Sequence, residues 1–216
     1  MYFTPKINLK GRNDLRKERQ LSHGKTFPYL GLWIFSGQQG SGKTLLAMHC
    51  INGILDEYPD CMLVSNINIY GRNAIPYSGI KDFEKYHNGD QGIIFLIDEI
   101  HTLFSSLESH NMPVSTLTVW SQNRKNRRLI LGTSQRFTRA AKGLREQTTW
   151  HYDCKREMII PILGWTLFPY RIYDGQEYND EGLYEGEEPK LQFYFPQKGV
   201  FRSYNTKEVV KRYDDG

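Results

Sequence analysis

The sequence offers little sulfur chemistry. Among its 216 residues there are three cysteines, Cys50, Cys61 and Cys154, and no C-x-x-C spacing. An odd, sparse set fits a reducing compartment better than a disulfide framework. Long apolar runs are also missing, and none reaches the roughly 18 residues that span a bilayer. The nearest, residues 158–170, is broken by Pro161, Gly164 and Pro169. Met1-Tyr2-Phe3-Thr4-Pro5-Lys6 leads into no apolar core, so it does not read as a signal peptide. His101, His110 and His151 lack metal-ligand spacing and read as structural. No internal repeat or low-complexity tract is present. These shortages argue against a disulfide-stapled scaffold, a helical membrane protein, a metal module and a repeat array. What remains suits a globular core, with 39% hydrophobic and 13% aromatic residues. The net charge of +4 and pI near 8.8 lean mildly towards anionic partners.

The densest signal is Gly37-Gln38-Gln39-Gly40-Ser41-Gly42-Lys43-Thr44, which fits the Walker A pattern G-x-x-x-x-G-K-[ST]. An apolar run, residues 32–35, precedes it as a buried strand should, and residues 44–58 read as a helix with one broad apolar face. The alternative is a glycine-rich turn with a chance lysine, but the strand–loop–helix context favours a phosphate cradle. Glycines let successive N–H groups point at phosphate oxygens, and the positive end of the new helix adds to the attraction. Lys43 can reach the β- and γ-phosphates of ATP, and Thr44 can ligate Mg²⁺.

Further α/β pattern follows. A strand is expected over residues 62–69, and a short helix over 79–87 capped by Ser78. A turn is expected at Asn88-Gly89-Asp90 and a wholly apolar central strand over 92–97. A helix entered through Pro113 should run to about residue 123, with another strand over 129–134. Strands alternating with helices imply a mainly parallel sheet covered on both faces, the α/β class of P-loop NTPases. Residues 148–154, 157–163, 165–173 and 191–195 are β-like, and a last short helix is expected over 207–213. Residues 1–27 read as a basic arm and 28–216 as one P-loop ATPase domain, with 148–205 a β-rich extension of it.

Ile93-Ile94-Phe95-Leu96-Ile97-Asp98-Glu99 has the Walker B form, an apolar strand ending in two acids. Both acids would lie at the carboxyl edge of the sheet, where such folds bind ligands. Asp98 would hold Mg²⁺, and Glu99 would accept a proton from the attacking water. The competing role for Glu99 is to cap the next segment. Gln135 ends the strand Leu129-Ile130-Leu131-Gly132-Thr133-Ser134, where an amide can sense the γ-phosphate, or can simply end a strand.

Charge is unevenly spread. Between Arg124 and Arg145 there are eight Lys/Arg and no acid. Such a run could complete a neighbour's active site, grip a polyphosphate backbone, or be a plain basic surface. Seven Lys/Arg lie between Lys6 and Lys25 against two acids, an arm that is either solvated or touches nucleic acid or a neighbouring subunit. Residues 174–188 carry seven acids and no Lys or Arg, and read as an exposed loop facing away from any nucleic acid.

Gly-Gln-Gln-Gly-Ser-Gly-Lys-Thr, Ile-Asp-Glu and Arg-Lys-Asn-Arg-Arg-Leu-Ile-Leu-Gly-Thr-Ser-Gln together resemble the FtsK–HerA superfamily of DNA-pumping ATPases. Within it the chain is similar to the viral genome-packaging ATPases and the Zot-type phage assembly ATPases. The likeness covers roughly residues 30–150 and leaves the C-terminal β-rich part unassigned. It implies an oligomeric ring, usually hexameric, with ATP between subunits and DNA through the centre, gripped non-specifically through phosphates. It assigns Lys43 and Thr44 to Walker A, Asp98 and Glu99 to Walker B, and Gln135 to the sensor. An arginine acting on the neighbour's ATP would be Arg124, with Arg127 second. It implies a cytoplasmic setting, in the host if viral, with docking at a capsid vertex or membrane proteins. Zot-type proteins usually carry a transmembrane helix, which this sequence does not show. Four readings stand: a genome-packaging motor, a related motor for phage extrusion or conjugation, a nucleotide-gated binding protein, and a small-molecule P-loop kinase.

Overall fold

The computed structural model describes residues 26–104, 126–160, 165–179, 181, 183–196, 200, 204 and 205. The greater part of the expected basic arm, the helix expected over 113–123, Arg124, His110 and the helix expected over 207–213 lie outside these residues.

The core is a nine-stranded sheet. Its strands are β1 (Gly31–Ser36), β2 (Met62–Ser65), β3 (Ala74–Pro76), β4 (Ile93–Ile97), β5 (Arg128–Ser134), β6 (Thr148–Cys154), β7 (Met158–Ile160), β8 (Trp165–Asp174) and β9 (Gln192–Tyr194). The order is β3-β2-β4-β5-β1-β6-β8-β7, with β9 also on β8. The first six strands in that order run parallel. The β6–β8, β7–β8 and β8–β9 pairs are antiparallel. The β-rich C-terminal part therefore begins as a parallel strand of the main sheet and becomes antiparallel only at β8.

Both faces are covered, which is why the central strands are apolar throughout. On one face α1 (Lys43–Glu57) packs Leu45, Met48 and Ile51 against Trp33, Phe35, Ile94 and Leu131. The other face holds Leu32, Ile34, Phe95, Ile97 and Ile130. It is covered by Phe83 of α2 (Asp82–Lys85), Phe137 of the 3₁₀ turn Phe137–Arg139, and Leu144 of α4 (Lys142–Glu146). A further short helix, α3 (His101–Phe104), follows β4. Each fully buried Leu, Ile or Phe contributes about 1.5–3 kcal/mol.

Several local expectations are corrected. The strand expected over 62–69 stops at Ser65, because Ser65 Oγ accepts from Ile67 N at 3.2 Å and turns the chain aside. Ser78 does not cap a helix over 79–87. Its backbone N and hydroxyl donate instead to the buried Asp82 carboxylate, at 2.6 and 2.8 Å, and the helix is one turn long. Phe27, assigned to the arm, is wholly buried and its N–H donates to Asp90 O at 2.8 Å. The edge strand β3 had no period-2 signal in the sequence, and it carries Pro76 where only an edge tolerates proline.

Candidate active site

The sharp turn from β1 into α1 needs glycine at two points. Gly42 has φ +78, and a Cβ there would run into the Phe168 ring. Gly37 lies so close to Cys154 O and Ser41 Oγ that no side chain fits. The helix that follows has no side-chain cap at its N-terminus, so its first N–H groups stay available to an anion. Lys43 is buried and donates to Gln38 O at 3.1 Å, which folds its ammonium back over the loop. Ser41 N also donates to Gln38 O, at 3.1 Å, while buried Ser41 Oγ has no hydrogen-bond partner among the described residues. Gln38, Gln39 and Gly40 are exposed at the lip.

Asp98 lies beside this loop. Its Oδ1 accepts from Thr44 Oγ1 at 2.9 Å and from Thr133 Oγ1 at 2.8 Å, which ties α1, β4 and β5 together at one point. Its backbone is clamped by Asn66, whose Oδ1 accepts from Asp98 N at 2.8 Å and whose Nδ2 donates to Asp98 O at 3.0 Å. Glu99 sits at φ +53, a region costly for a non-glycine residue. Thr133 Oγ1 accepts from its N–H at 2.9 Å, and Thr102 N donates to its carbonyl at 2.8 Å, so the bend is held from both sides. Burial raises the Glu99 carboxyl above the ordinary range, opposed by His101 and reinforced by Asp98. His101 Nδ1 lies 3.2 Å from Glu99 Oε2. A carboxylate whose proton affinity is raised by burial is a better acceptor for a water proton near neutrality.

The structure thus brings Gly37, Ser41, Gly42, Lys43, Thr44, Asp98 and Glu99 together at the carboxyl edge. Gln135 follows β5 at that edge, where its Oε1 accepts from Arg139 Nη1 at 2.8 Å. Sequence reasoning missed Asn66, Thr133 and His101. Thr133 could have been found as the first polar residue after the apolar run of β5, in Thr133-Ser134-Gln135. Asn66 had no local signal, because its partner is distant in sequence. Among the described residues no group of three or more His, Cys, Asp or Glu could hold a metal, and no helix is long and apolar enough to cross a membrane.

The basic run divides. Arg128 is 0% exposed, its guanidinium 5.6 Å from the Phe95 ring centroid and 6.0 Å from that of Phe83, and burial lowers it to about 10. Arg127 is held by Asp90 at 2.8 Å and donates to Phe27 O at 3.2 Å. Both stand at the amino end of β5, opposite the carboxyl edge that carries Lys43 and Glu99. Arg136, Arg139 and Lys142 are exposed beyond its carboxyl end. The start of the acid-rich segment packs beside α4 through uncharged residues. Gly175, Gln176, Tyr178 and Asn179 line a cavity of about 180 Å³ together with Lys142, Arg145 and Glu146. Gln176 Nε2 donates to the carbonyls of Glu146, at the end of α4, and of Thr148, at the start of β6.

Residues 33–153 match the family model described as ATPase family associated with various cellular activities (AAA). Among solved structures, the N-terminal domain of zonular occludens toxin from Neisseria meningitidis is similar, with TM-score 0.57 and 15% identity, over 82% of this chain and 100% of that one. The DNA-packaging ATPase B204 from Sulfolobus turreted icosahedral virus is similar at TM-score 0.52 and 14% identity, over 77% and 98%. The flagellar accessory protein FlaH from Methanocaldococcus jannaschii is similar at TM-score 0.51 and 16% identity, over 86% and 97%. The first two are of the kinds the sequence resembles. At these identities they establish a shared fold. No curated protein sequence matches.

Proposed function

Because the chain belongs to the AAA ATPase family, and carries a basic surface on the same sheet edge as its nucleotide loop, we propose that it is an ATP-driven motor that moves DNA, packaging a viral genome into a capsid. The observation that carries the reading is the convergence of Thr44 and Thr133 on Asp98 beside Lys43 and Glu99, with Arg136, Arg139 and Lys142 exposed on the segment that follows. Lys43 would exchange the Gln38 carbonyl for the β- and γ-phosphate oxygens, and Ser41 Oγ would gain a phosphate partner. Glu99 would take the proton of the attacking water, and Gln135 would report the γ-phosphate once released from Arg139. The donor set of hard oxygens on Thr44 and Asp98 suits Mg²⁺, which when bound neutralises charge on the β- and γ-oxygens.

A ring of subunits, hexameric in this reading, would let Arg124 of one subunit act on its neighbour's ATP. Mixed rings of Arg124→Ala and Lys43→Ala subunits should regain part of the activity, because some interfaces recover both groups. DNA would be held through phosphates and so without sequence preference. The decisive experiment is DNA-stimulated ATP hydrolysis across a salt series. If neither duplex nor single-stranded DNA binds or stimulates the assembled protein at low salt, the motor reading falls. A gene neighbourhood encoding a capsid protein would separate packaging from extrusion or conjugation.

A further inference from the structure

One buried group has no place in the chemistry above. His151, on β6, is 5% exposed and uses both ring nitrogens. Nε2 lies 2.7 Å from Ser36 Oγ, and Nδ1 is hydrogen-bonded to the Tyr178 hydroxyl. Phe137 stacks on the imidazole, centroids 4.1 Å apart and planes at 19°. Burial lowers the imidazole to about 3, so the ring is neutral, one nitrogen donating and the other accepting. Burial beside Tyr173 and Asp153 raises the Tyr178 phenol, which keeps its proton.

Tyr173 of β8 also stacks on His151, at 5.6 Å, and the other three neighbours lie on different elements. Ser36 is the last residue of β1, immediately before Gly37, and Gly37 N donates to Ser134 O at 3.3 Å. Phe137 lies on the turn between Gln135 and Arg139. Tyr178 opens onto the cavity it shares with Lys142 and Arg145. An apolar side chain would fill the space beside Phe137 at less desolvation cost. A polar chain here adds geometry, because it fixes the root of the phosphate loop relative to the sensor turn.

We propose that His151 is a positioning residue of the ATPase site, anchored outward by the Tyr178 hydroxyl and holding Ser36 and the Phe137 turn in register with the phosphate loop. The inference rests on the assignment of the phosphate loop as the nucleotide site. Small displacements of supporting groups cost turnover even when they lie away from the chemistry.

The test uses Tyr178→Phe, which keeps the ring and its packing and removes only the hydroxyl, together with Ser36→Ala and His151→Phe. ATP kcat and KM are measured well below the melting temperature, beside a thermal melt of each variant and a Lys43→Ala control. Each single variant should lower kcat by about tenfold. The Tyr178→Phe, Ser36→Ala double variant should lose no more than either single one, because both cut the same chain. Where His151→Phe does not fold, Tyr178→Phe and Ser36→Ala carry the test. If Tyr178→Phe loses stability but keeps wild-type kcat and KM, or if the two losses add, His151 is only a core histidine and the proposal is overturned. If Lys43→Ala also keeps full turnover, the nucleotide-site assignment itself fails and takes the proposal with it.

Discussion

Arg128 and Arg139 belong to one run of basic sequence, yet they do opposite work at opposite ends of β5. Arg128 is buried between Phe83 and Phe95, where its charge is spread over two ring faces. Arg139 is exposed and holds Gln135 beyond the far end. Seven residues of strand, about 23 Å at the rise of a parallel strand, separate the two ends. A strand that crosses the whole sheet inside a charged stretch sorts its cations into buried and exposed ones. Charge density along the chain therefore overstates the basic surface available to a polyanion.

The largest effects belong to the nucleotide loop, at the carboxyl end. Lys43→Ala should abolish ATP binding, while Glu99→Gln should keep binding and lose turnover. Equilibrium titration with a fluorescent ATP analogue and a steady-state hydrolysis assay separate the two. If Glu99→Gln hydrolyses ATP at the wild-type rate, the proton acceptor lies elsewhere.

At the amino end, Arg128→Ala should cost about 3 kcal/mol of stability, as truncation of a large buried side chain does. Its turnover per folded molecule should stay the same. A melt unchanged from wild type would show that Arg128 is not held as the structure places it. At the carboxyl end the pattern should reverse. Changing Arg136, Arg139 and Lys142 together to Ala should leave the melt nearly unchanged. It should also flatten the salt dependence of DNA binding by roughly one unit of slope for each phosphate no longer neutralised. DNA stimulation that survives this change would move the DNA-binding surface elsewhere.

Two further effects bear on the same division between buried and exposed groups. His151 is held neutral, lowered by burial to about 3 from its ordinary 6.5. Below pH 6.5 the unfolded chain takes up a proton that the folded chain refuses, so stability should fall as pH drops from there towards 3, by at most about 1.4 kcal/mol per pH unit. His151→Phe should remove that component from denaturation curves recorded across the range. Smallest of all, Arg127→Ala should cost less than about 1 kcal/mol, because its Asp90 partner is largely in solvent. A double-mutant cycle with Asp90→Ala measures it.

The parallel sheet was legible because its central strands are apolar runs punctuated by glycine and acid, and both Walker sequences carry their own local signal. Gly37, Lys43 and Thr44 sit in one loop, and Asp98 and Glu99 end one strand. What the sequence concealed depends on distant pairing. Asn66 acts only because β2, which it follows, lies beside β4, and Asp98 is held by Asn66 together with residues from α1 and β5. Arg128 gave no sign of burial, since an arginine beside Arg127 reads as surface until Phe83 and Phe95 are seen around it. The acid-rich segment was placed by its charge alone, while the amide of Gln176 decided where its first turn docks.

The back wall of the phosphate loop comes from beyond the family match, which ends at Asp153. Cys154 O presses on Gly37, and the Phe168 ring lies where a side chain at residue 42 would be. The segment that matches the family model and the segment beyond it are thus two halves of one mould. A swap of residues 154–174 between relatives would have to carry the loop with it, and a fragment cut at the end of the family match would keep Gly37 to Thr44 and lose the surface that shapes them.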